Sequence, residues 1–486
     1  MPGPVGKPEF FSFNQLNSIQ EAFEGKKPAK ASAEQPQVLS DSVSLGKQEK
    51  TQNVIIVPGK GLMKSKAKVD TDTMAKELSK KGVEVDSKLD VISGVTAKIK
   101  PEDAEKLKEQ GFVIFDDSER QLIPDMPKVL NATPGAKPWD MPKIEDVKWT
   151  QAGDLHKQGI TGKGQVVAVI DSGYNHPEKK LVAWKDVVDG SPEPVDPNGH
   201  GTHVAGDVIK TAPEANIIGI RVMGGNGTGK TSDIVKGIQW AIDNKEKHNI
   251  DTINMSLGGP PDGWPHYFSP INTAVEKAVE KGITVVAAAG NSGPNAHTIG
   301  APADSPHALS VGSALNPEKV SDFSSRGPTD DKLVKPDIMA PGEYITSWAV
   351  PGSQMDKIAT TVETHRRMTP AQLRKLFVAK PDLMKALGLP EDLLQKDDAG
   401  LEKTTKTSLP PMYKPTPDTI AGPGTSFASP EVAGIVAGLK QAHPKATPQE
   451  IKDALMKTAK NMGAHYSNMD QGAGFVQADK ARKSMG

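Results

Sequence analysis

Four polar residues occupy places where side chains can do chemistry. Ser426 lies in GPGTSFASPEVAG (422–434), where two glycines and a proline lead into the serine and an apolar helical pattern follows at once. A serine so placed either caps the helix or presents a hydroxyl that a base can activate. His200, in NGHGTHVAG (198–206), sits between glycines at the start of a small-residue helix and reads as an exposed imidazole able to serve as that base. Asp171 ends the apolar run VVAVID (166–171). An acid at the carboxyl end of a strand can be buried and still reach an active edge, although Asp-Ser-Gly also reads as a plain turn. Asn291, in VVAAAGNSGP (285–294), ends another apolar run. Its amide either turns the chain beside Gly290 and Gly293 or donates to an oxygen that gains charge during a reaction. Nucleophile, base, orienting acid and oxyanion donor together are the parts of acyl transfer.

Composition narrows the alternatives. The 486 residues contain no cysteine, so thiol catalysis, disulfides and zinc–thiolate sites are excluded. His200 and His203 share a helix face at i, i+3, yet no glutamate stands between them as a metalloprotease helix requires. No metal site is therefore assigned, and His203 reads as a packed structural histidine. Net charge is −1, with 59 basic and 60 acidic residues, which gives no electrostatic reason to expect nucleic acid as a partner. No run approaches the roughly 18 apolar residues of a membrane span.

The elements that must position these residues follow from the pattern of the chain. A length of 486 residues suggests two to four domains. Residues 1–50 are polar and read as a disordered tail. Residues 51–123 read as a small ferredoxin-like α+β domain, with strands at NVIIV, VISGVTAKI and FVIF, helices at DTMAKELSKKG and PEDAEKLKEQG, and a further strand at VEVDS. Residues 124–150 are a proline-rich linker. From 151 to 486, the nearly continuous apolar runs QVVAVID, ANIIGIRV, DTINMSL and ITVVAAAGN alternate with amphipathic helices. Runs of that kind are strands buried on both faces. The fold class is α/β, a mostly parallel sheet flanked by helices on both faces, and ligands bind beyond the carboxyl ends of such strands. Residues 354–418 break the rhythm and read as an insertion, helical at its centre and loop-like in its flanks DDAGLEKTTKTS and LPPMYKPTPDT.

The blocks DSGYNHPE, NGHGTHVAG, INMSLGGP, AAAGNSGP and GTSFASPEVAG, in the order Asp, His, Ser, resemble the signature blocks of the subtilisin-like serine proteases. The resemblance covers roughly 150–353 and 419–480. It implies a serine endopeptidase in which Ser426 attacks the peptide carbonyl, His200 carries the proton, Asp171 orients the imidazole, and Asn291 with the Ser426 N–H forms the oxyanion site. It implies that 225–229, with Gly227, Thr228 and Gly229, and 256–259, with Ser256, Leu257 and Gly258, clamp an extended protein or peptide substrate as an added strand. Gly300 matches the floor of the primary pocket and implies a preference for large apolar side chains. Thr231 stands where many relatives put an aromatic over a further subsite.

The chemistry needs no cofactor. Relatives often carry a calcium loop between the His helix and the next strand. Here HVAGDVIKTAPEANIIGI runs straight through, so the usual loop is absent while structural calcium elsewhere stays open. Residues 51–123 resemble the inhibitory propeptide of secreted subtilases, which implies an intramolecular inhibitor and autocleavage within 116–148. RQLIPD (120–125) also resembles the short inhibitory extension of intracellular subtilisins. The first 50 residues show no apolar signal-peptide core, so secreted and cytoplasmic locations both stay open. The enzyme is expected to be a monomer. The alternative is a catalytically silent peptide-binding scaffold on the same fold.

Overall fold

The computed structural model describes residues 10–11, 22, 51–59, 70–122, 126–127, 144–178, 180–261 and 265–486. Most of the expected tail (1–50) and linker (124–150) lies outside the described residues. The exceptions in the tail are Phe10–Phe11, which pair antiparallel with Met126–Pro127, and Ala22, which is buried.

The small N-terminal unit runs β1 (Gln52–Pro58), α1 (Thr71–Lys80), β2 (Glu84–Leu89), β3 (Gly94–Ile99), α2 (Pro101–Glu109) and β4 (Phe112–Asp116). Its antiparallel sheet has the order β2-β3-β1-β4. Asp70 starts α1 by accepting from the N–H groups of Asp72 and Thr73, and Pro101 starts α2 where its missing N–H costs nothing. Met74, Leu78, Ala104 and Leu107 recur at i, i+3 or i+4 and bury one face of each helix against Val54, Ile56 and Val95. A short strand, β5 (Glu119–Leu122), follows and leaves this sheet.

The large unit is built on an eight-stranded sheet. Its strands are β6 (Val166–Asp171), β7 (Leu181–Asp186), β8 (Asn216–Arg221), β10 (Ile250–Met255), β12 (Thr284–Ala288), β13 (Leu309–Asn316), β14 (Lys319–Val320) and β15 (Ile338–Pro341). Two short strands, β9 (Thr228–Lys230) and β11 (Leu257–Gly258), stand outside it. The order is β14-β13-β12-β10-β6-β8-β7 with β15 also on β13, and only the two-residue β14 runs antiparallel. β6 shows why the apolar runs are continuous. Val167 and Val169 enter the core on one side of the sheet, and Val166, Ala168 and Ile170 enter the core on the other.

Two helices meet on one face, α3 (His200–Thr211) and α10 (Thr425–Ala442). They pack very closely. A Cβ on Gly434 would fall 2.1 Å from Thr211 Oγ1 and 2.5 Å from the Val208 carbonyl oxygen. Thr211 Oγ1 donates to the Glu431 carbonyl at 2.8 Å. On the other side lie α4 (Thr231–Asp243) and α5 (Pro270–Glu280). Among the described residues no helix is long and apolar enough to cross a membrane.

The segment 354–418 folds as α6 (Gln354–Arg366), α7 (Pro370–Ala379), α8 (Pro381–Ala386), α9 (Asp398–Ser408) and a strand, β17 (Tyr413–Thr416). Both flanks are therefore more ordered than loops. Gly400 and the threonines make α9 a poor helix by propensity. Tertiary packing overrides this, because Asp397 caps it through the Gly400 N–H and Leu401 and Thr405 are buried. β17 is an edge strand on β18 (Thr419–Gly422), which pairs in turn with β16 (Ile345–Trp348), and an edge tolerates Pro415.

Candidate active site

Asp171, His200, Asn291 and Ser426 converge beyond the carboxyl ends of β6 and β12, although 255 positions separate the first from the last. Asp171 is wholly buried. Its Oδ1 accepts from His200 Nδ1 at 2.8 Å and from the Ser172 N–H at 2.7 Å. Gly201 makes this approach possible, since a Cβ there would lie 2.4 Å from the Gly173 carbonyl oxygen and 3.2 Å from Asp171 Cβ. His200 is 6% exposed, not the open imidazole that the sequence suggests. Its ring packs 5.5 Å from that of Phe427, the residue after Ser426. With Nδ1 given to the carboxylate, Nε2 is buried and has no hydrogen-bond partner among the described residues, the Ser426 hydroxyl included. Burial pushes the His200 imidazolium down, but the charge and hydrogen bond of Asp171, with Asp196 and Asp207 further off, outweigh burial and leave it raised.

Ser426 stands in the first turn of α10 behind Gly424, where the backbone N–H groups have no partner within the helix. A Cβ on Gly424 would lie 2.7 Å from Ser426 Oγ and 3.6 Å from Asn291 Nδ2, so the hydroxyl and the amide flank one small space that only glycine leaves open. Gly422 has no such need, because a Cβ there would make ordinary contact with Phe427. The Asn291 amide is oriented by its other end. Its Oδ1 accepts from the Thr425 N–H and from Thr425 Oγ1, each at 2.9 Å, which turns the NH₂ toward Gly424.

The two segments read as a peptide clamp are occupied by the chain's own β5. It lies antiparallel between β9 and β11. The Leu122 N–H donates to the Gly227 carbonyl at 2.8 Å, Gln121 pairs with both Thr228 and Gly258, and Arg120 pairs with Gly229. Arg120 Nε donates to Thr231 Oγ1 at 3.2 Å. Just upstream, Asp117 accepts from Ser232 N and Ser232 Oγ, both at 2.8 Å, at the start of α4. Gly300 lies under Gly259 and Pro260, and a Cβ would fall 2.3 Å from the Gly259 carbonyl oxygen. Ser256 is outside the pairing with β5, and its hydroxyl donates to the Ser426 carbonyl at 2.7 Å.

A model of the subtilase family (peptidase S8) matches residues 162–474. The chain belongs to the subtilase family. It is 35% identical over 350 residues to serine protease AprX of Bacillus subtilis, a match that covers 67% of each chain. It is 33% identical over 289 residues to subtilisin E of the same organism, covering 57% of this chain and 68% of subtilisin E. It shares its fold with fervidolysin of Fervidobacterium pennivorans at a TM-score of 0.59 and 21% identity, the match spanning 90% of this chain and 62% of that one.

This subtilase holds its histidine with parts that sequence reading missed. Asp196, buried and four residues before His200, accepts from Ser172 Oγ (2.8 Å), Gly199 N (2.8 Å), Thr202 N (2.8 Å) and Thr202 Oγ1 (2.7 Å). It ties the start of α3 to the end of β6. The inserted segment braces the same turn, with Gln354 N donating to the Pro197 carbonyl at 3.0 Å and Met355 N to that of Asn198 at 2.9 Å. An aspartate a few residues before a helix start is a signal for the first contact. No local pattern signals the second. His203 is buried between Asp207 Oδ2 (3.0 Å) and the Ile420 carbonyl (3.0 Å). The link from α3 to β8 is only residues 212–215, and its one carboxylate, Glu214, bonds Thr161.

Proposed function

We propose that this subtilase is a serine endopeptidase made as a self-inhibited zymogen. The carrying observation is the convergence of the Asp171–His200 pair with Ser426 and Asn291 at the end of a groove that already pairs with an extended peptide. In the proposed reaction Ser426 Oγ attacks the scissile carbonyl while His200 Nε2 takes its proton. Asp171 keeps Nδ1 protonated and stabilises the imidazolium. The developing oxyanion receives Asn291 Nδ2 and the Ser426 N–H, at the positive end of α10. His200 then returns the proton to the leaving amine, and water repeats the sequence on the acyl-enzyme. Side chains alone move the protons and the acyl group, so the reaction needs no cofactor.

Substrate selection rests mainly on main-chain pairing with 227–229 and 257–258, which is sequence-tolerant, and the preference for large apolar side chains at the primary pocket rests on the family resemblance at Gly300. β5 supports the inhibitory reading, since it occupies that groove as a substrate strand would. Maturation cleavage then falls within 116–148 and frees the groove.

The test is labelling by a fluorophosphonate probe. The matured wild type should be labelled and Ser426→Ala should not. An unlabelled matured wild type overturns the reading.

A further inference from the structure

Glu343 is an acid where water does not reach. It is 1% exposed, in the turn between β15 and β16, and this turn is pinned on two sides. Gly342 N donates to the Ala314 carbonyl at 3.0 Å, and the Gly342 carbonyl accepts from Gly424 N at 2.8 Å, two residues before Ser426. There is no slack, as a Cβ on Gly342 would meet Ser313 Oγ at 2.3 Å and the Gly424 carbonyl oxygen at 2.9 Å. The next residue, Tyr344, is held in the left-handed region at φ 57°, which is strained for a bulky side chain.

The Glu343 carboxyl bonds the Ser321 hydroxyl, whose Oγ lies 2.8 Å from Ser313 Oγ. Its Oε2 is buried with no hydrogen-bond partner among the described residues. The charged or titratable groups that face it are Lys319 and Asp322 from the β14 hairpin and Tyr344 on its own turn. From Ser313 the contacts run on toward the amide side of the site. Ser313 N donates to Ser324 Oγ at 3.0 Å, Ser325 N donates to the Gly290 carbonyl at 2.9 Å, and Ser292 N donates to Ser325 Oγ at 3.1 Å. Gly290 and Ser292 are the two neighbours of Asn291.

We propose that Glu343 is a positioning residue for hydrolysis, holding the 342–344 turn against Gly424 and, through the serine run, both walls of the Ser426–Asn291 site. This rests on the peptidase reading above. Burial, only partly offset by Ser321 and Lys319, pushes the carboxyl up to about 7. It is neutral below that pH and gains charge above it. A buried carboxylate with an unbonded oxygen beside Asp322 must find water or Lys319. Either movement shifts the turn and loosens the Gly342–Gly424 bond.

The test compares the matured wild type with Glu343→Gln, which mimics the neutral acid. kcat and KM for a short chromogenic peptide, and the rate of fluorophosphonate inactivation, are measured from about pH 5 to about pH 10. In the wild type, kcat should rise through the His200 ionisation and then fall through a second one. The variant should keep the rise and lose the fall, or move it up by about one unit or more. KM should change by less than about twofold. A role confined to stability would leave the shape of the kcat profile alone.

If Glu343→Gln does not fold, Ser321→Ala serves instead. It removes a partner of the charged form, so the falling limb should move upward, and an unmoved limb overturns the proposal. A labelled wild type with superimposable profiles in Glu343→Gln overturns this inference alone. A wild type unlabelled at every pH overturns the peptidase reading and the inference together.

Discussion

The hydroxyl of Ser256 donates to the carbonyl oxygen of Ser426 at 2.7 Å, across 170 positions of sequence. The reason lies in Pro430, inside α10 and four residues after Ser426. A helix carbonyl normally accepts from the N–H four residues on, and proline has none. Ser256 fills the vacancy and so ties the turn that carries Ser426 to the end of β10. In a Ser426→Ala background, which prevents self-digestion and keeps the carbonyl, Ser256→Ala should cost about 1–3 kcal/mol by urea denaturation. Pro430→Ala returns an N–H, so adding Ser256→Ala to it should cost less, by about 0.5 kcal/mol or more. Equal costs in both backgrounds would show that the serine does not stand in for the missing donor.

If β5 restrains the site as proposed, weakening its pairing should speed activation. Leu122→Pro removes the N–H given to Gly227 and disfavours the strand. Losing about 1.4 kcal/mol of self-pairing weakens it roughly tenfold. The full chain should then shorten and gain activity sooner than wild type in a time course on gels with a peptide substrate. An unchanged lag would mean that β5 does not restrain the site.

In the proposed mechanism the acid limb of activity is set by His200. The base must be neutral to accept a proton, so kcat/KM should fall as pH drops through its ionisation, which Asp171 holds above the usual histidine range. Asp171→Asn removes that charge. The limb should move to lower pH while the rate drops by about 10⁴. A limb that stays in place would assign it to another group.

Glycines in α10 separate close packing from mere helix preference. Gly434→Ala puts a methyl against Thr211 Oγ1 and the Val208 carbonyl, and should destabilise by about 1–3 kcal/mol or more. At Gly438 the nearest atoms, on Leu155 and Ile160, lie 3.4–3.5 Å away. There alanine should be neutral or gain up to about 1 kcal/mol of helix propensity. Similar thermal shifts for the two variants would refute the close contact of α3 and α10.

Glu431 gives stability a pH dependence. It is wholly buried beside Lys210, Asp207 and Asp146, and desolvation first, then the charge of Asp146, push its carboxyl well above the usual range. A raised acid contributes stability that is complete below its unfolded value and is lost as pH rises toward the folded one. Glu431→Gln should therefore gain on wild type as pH climbs from about 4.5, seen in thermal midpoints of the Ser426→Ala protein. A constant difference across pH would mean that Glu431 keeps its charge.

How much of this was legible depends on range. The parallel sheet could be read because burial on both faces forces continuous apolar runs such as 166–171, a property of each strand by itself. Asp171, His200, Asn291 and Ser426 could be picked out because each needs small neighbours at fixed short spacing, and Gly201 and Gly424 do leave that space. α9 was not legible, since its propensity is poor and the burial of Leu401 in the core decides it. The role of Ser256 was not legible either, since its partner is a backbone carbonyl far along the chain.

From sequence alone came the candidate residues Asp171, His200, Asn291 and Ser426 in their order, and the kind of sheet that carries them, because local spacing and periodicity encode those things. Only the tertiary structure decided that residues 119–122 fill the groove between 228–230 and 257–258, that Asp196 anchors the turn before His200, and that a buried Glu343 backs the approach to Ser426. Each is a contact between surfaces formed by chain folding, and a main-chain pairing or a buried hydrogen bond places almost no constraint on which residue types lie next to it in sequence.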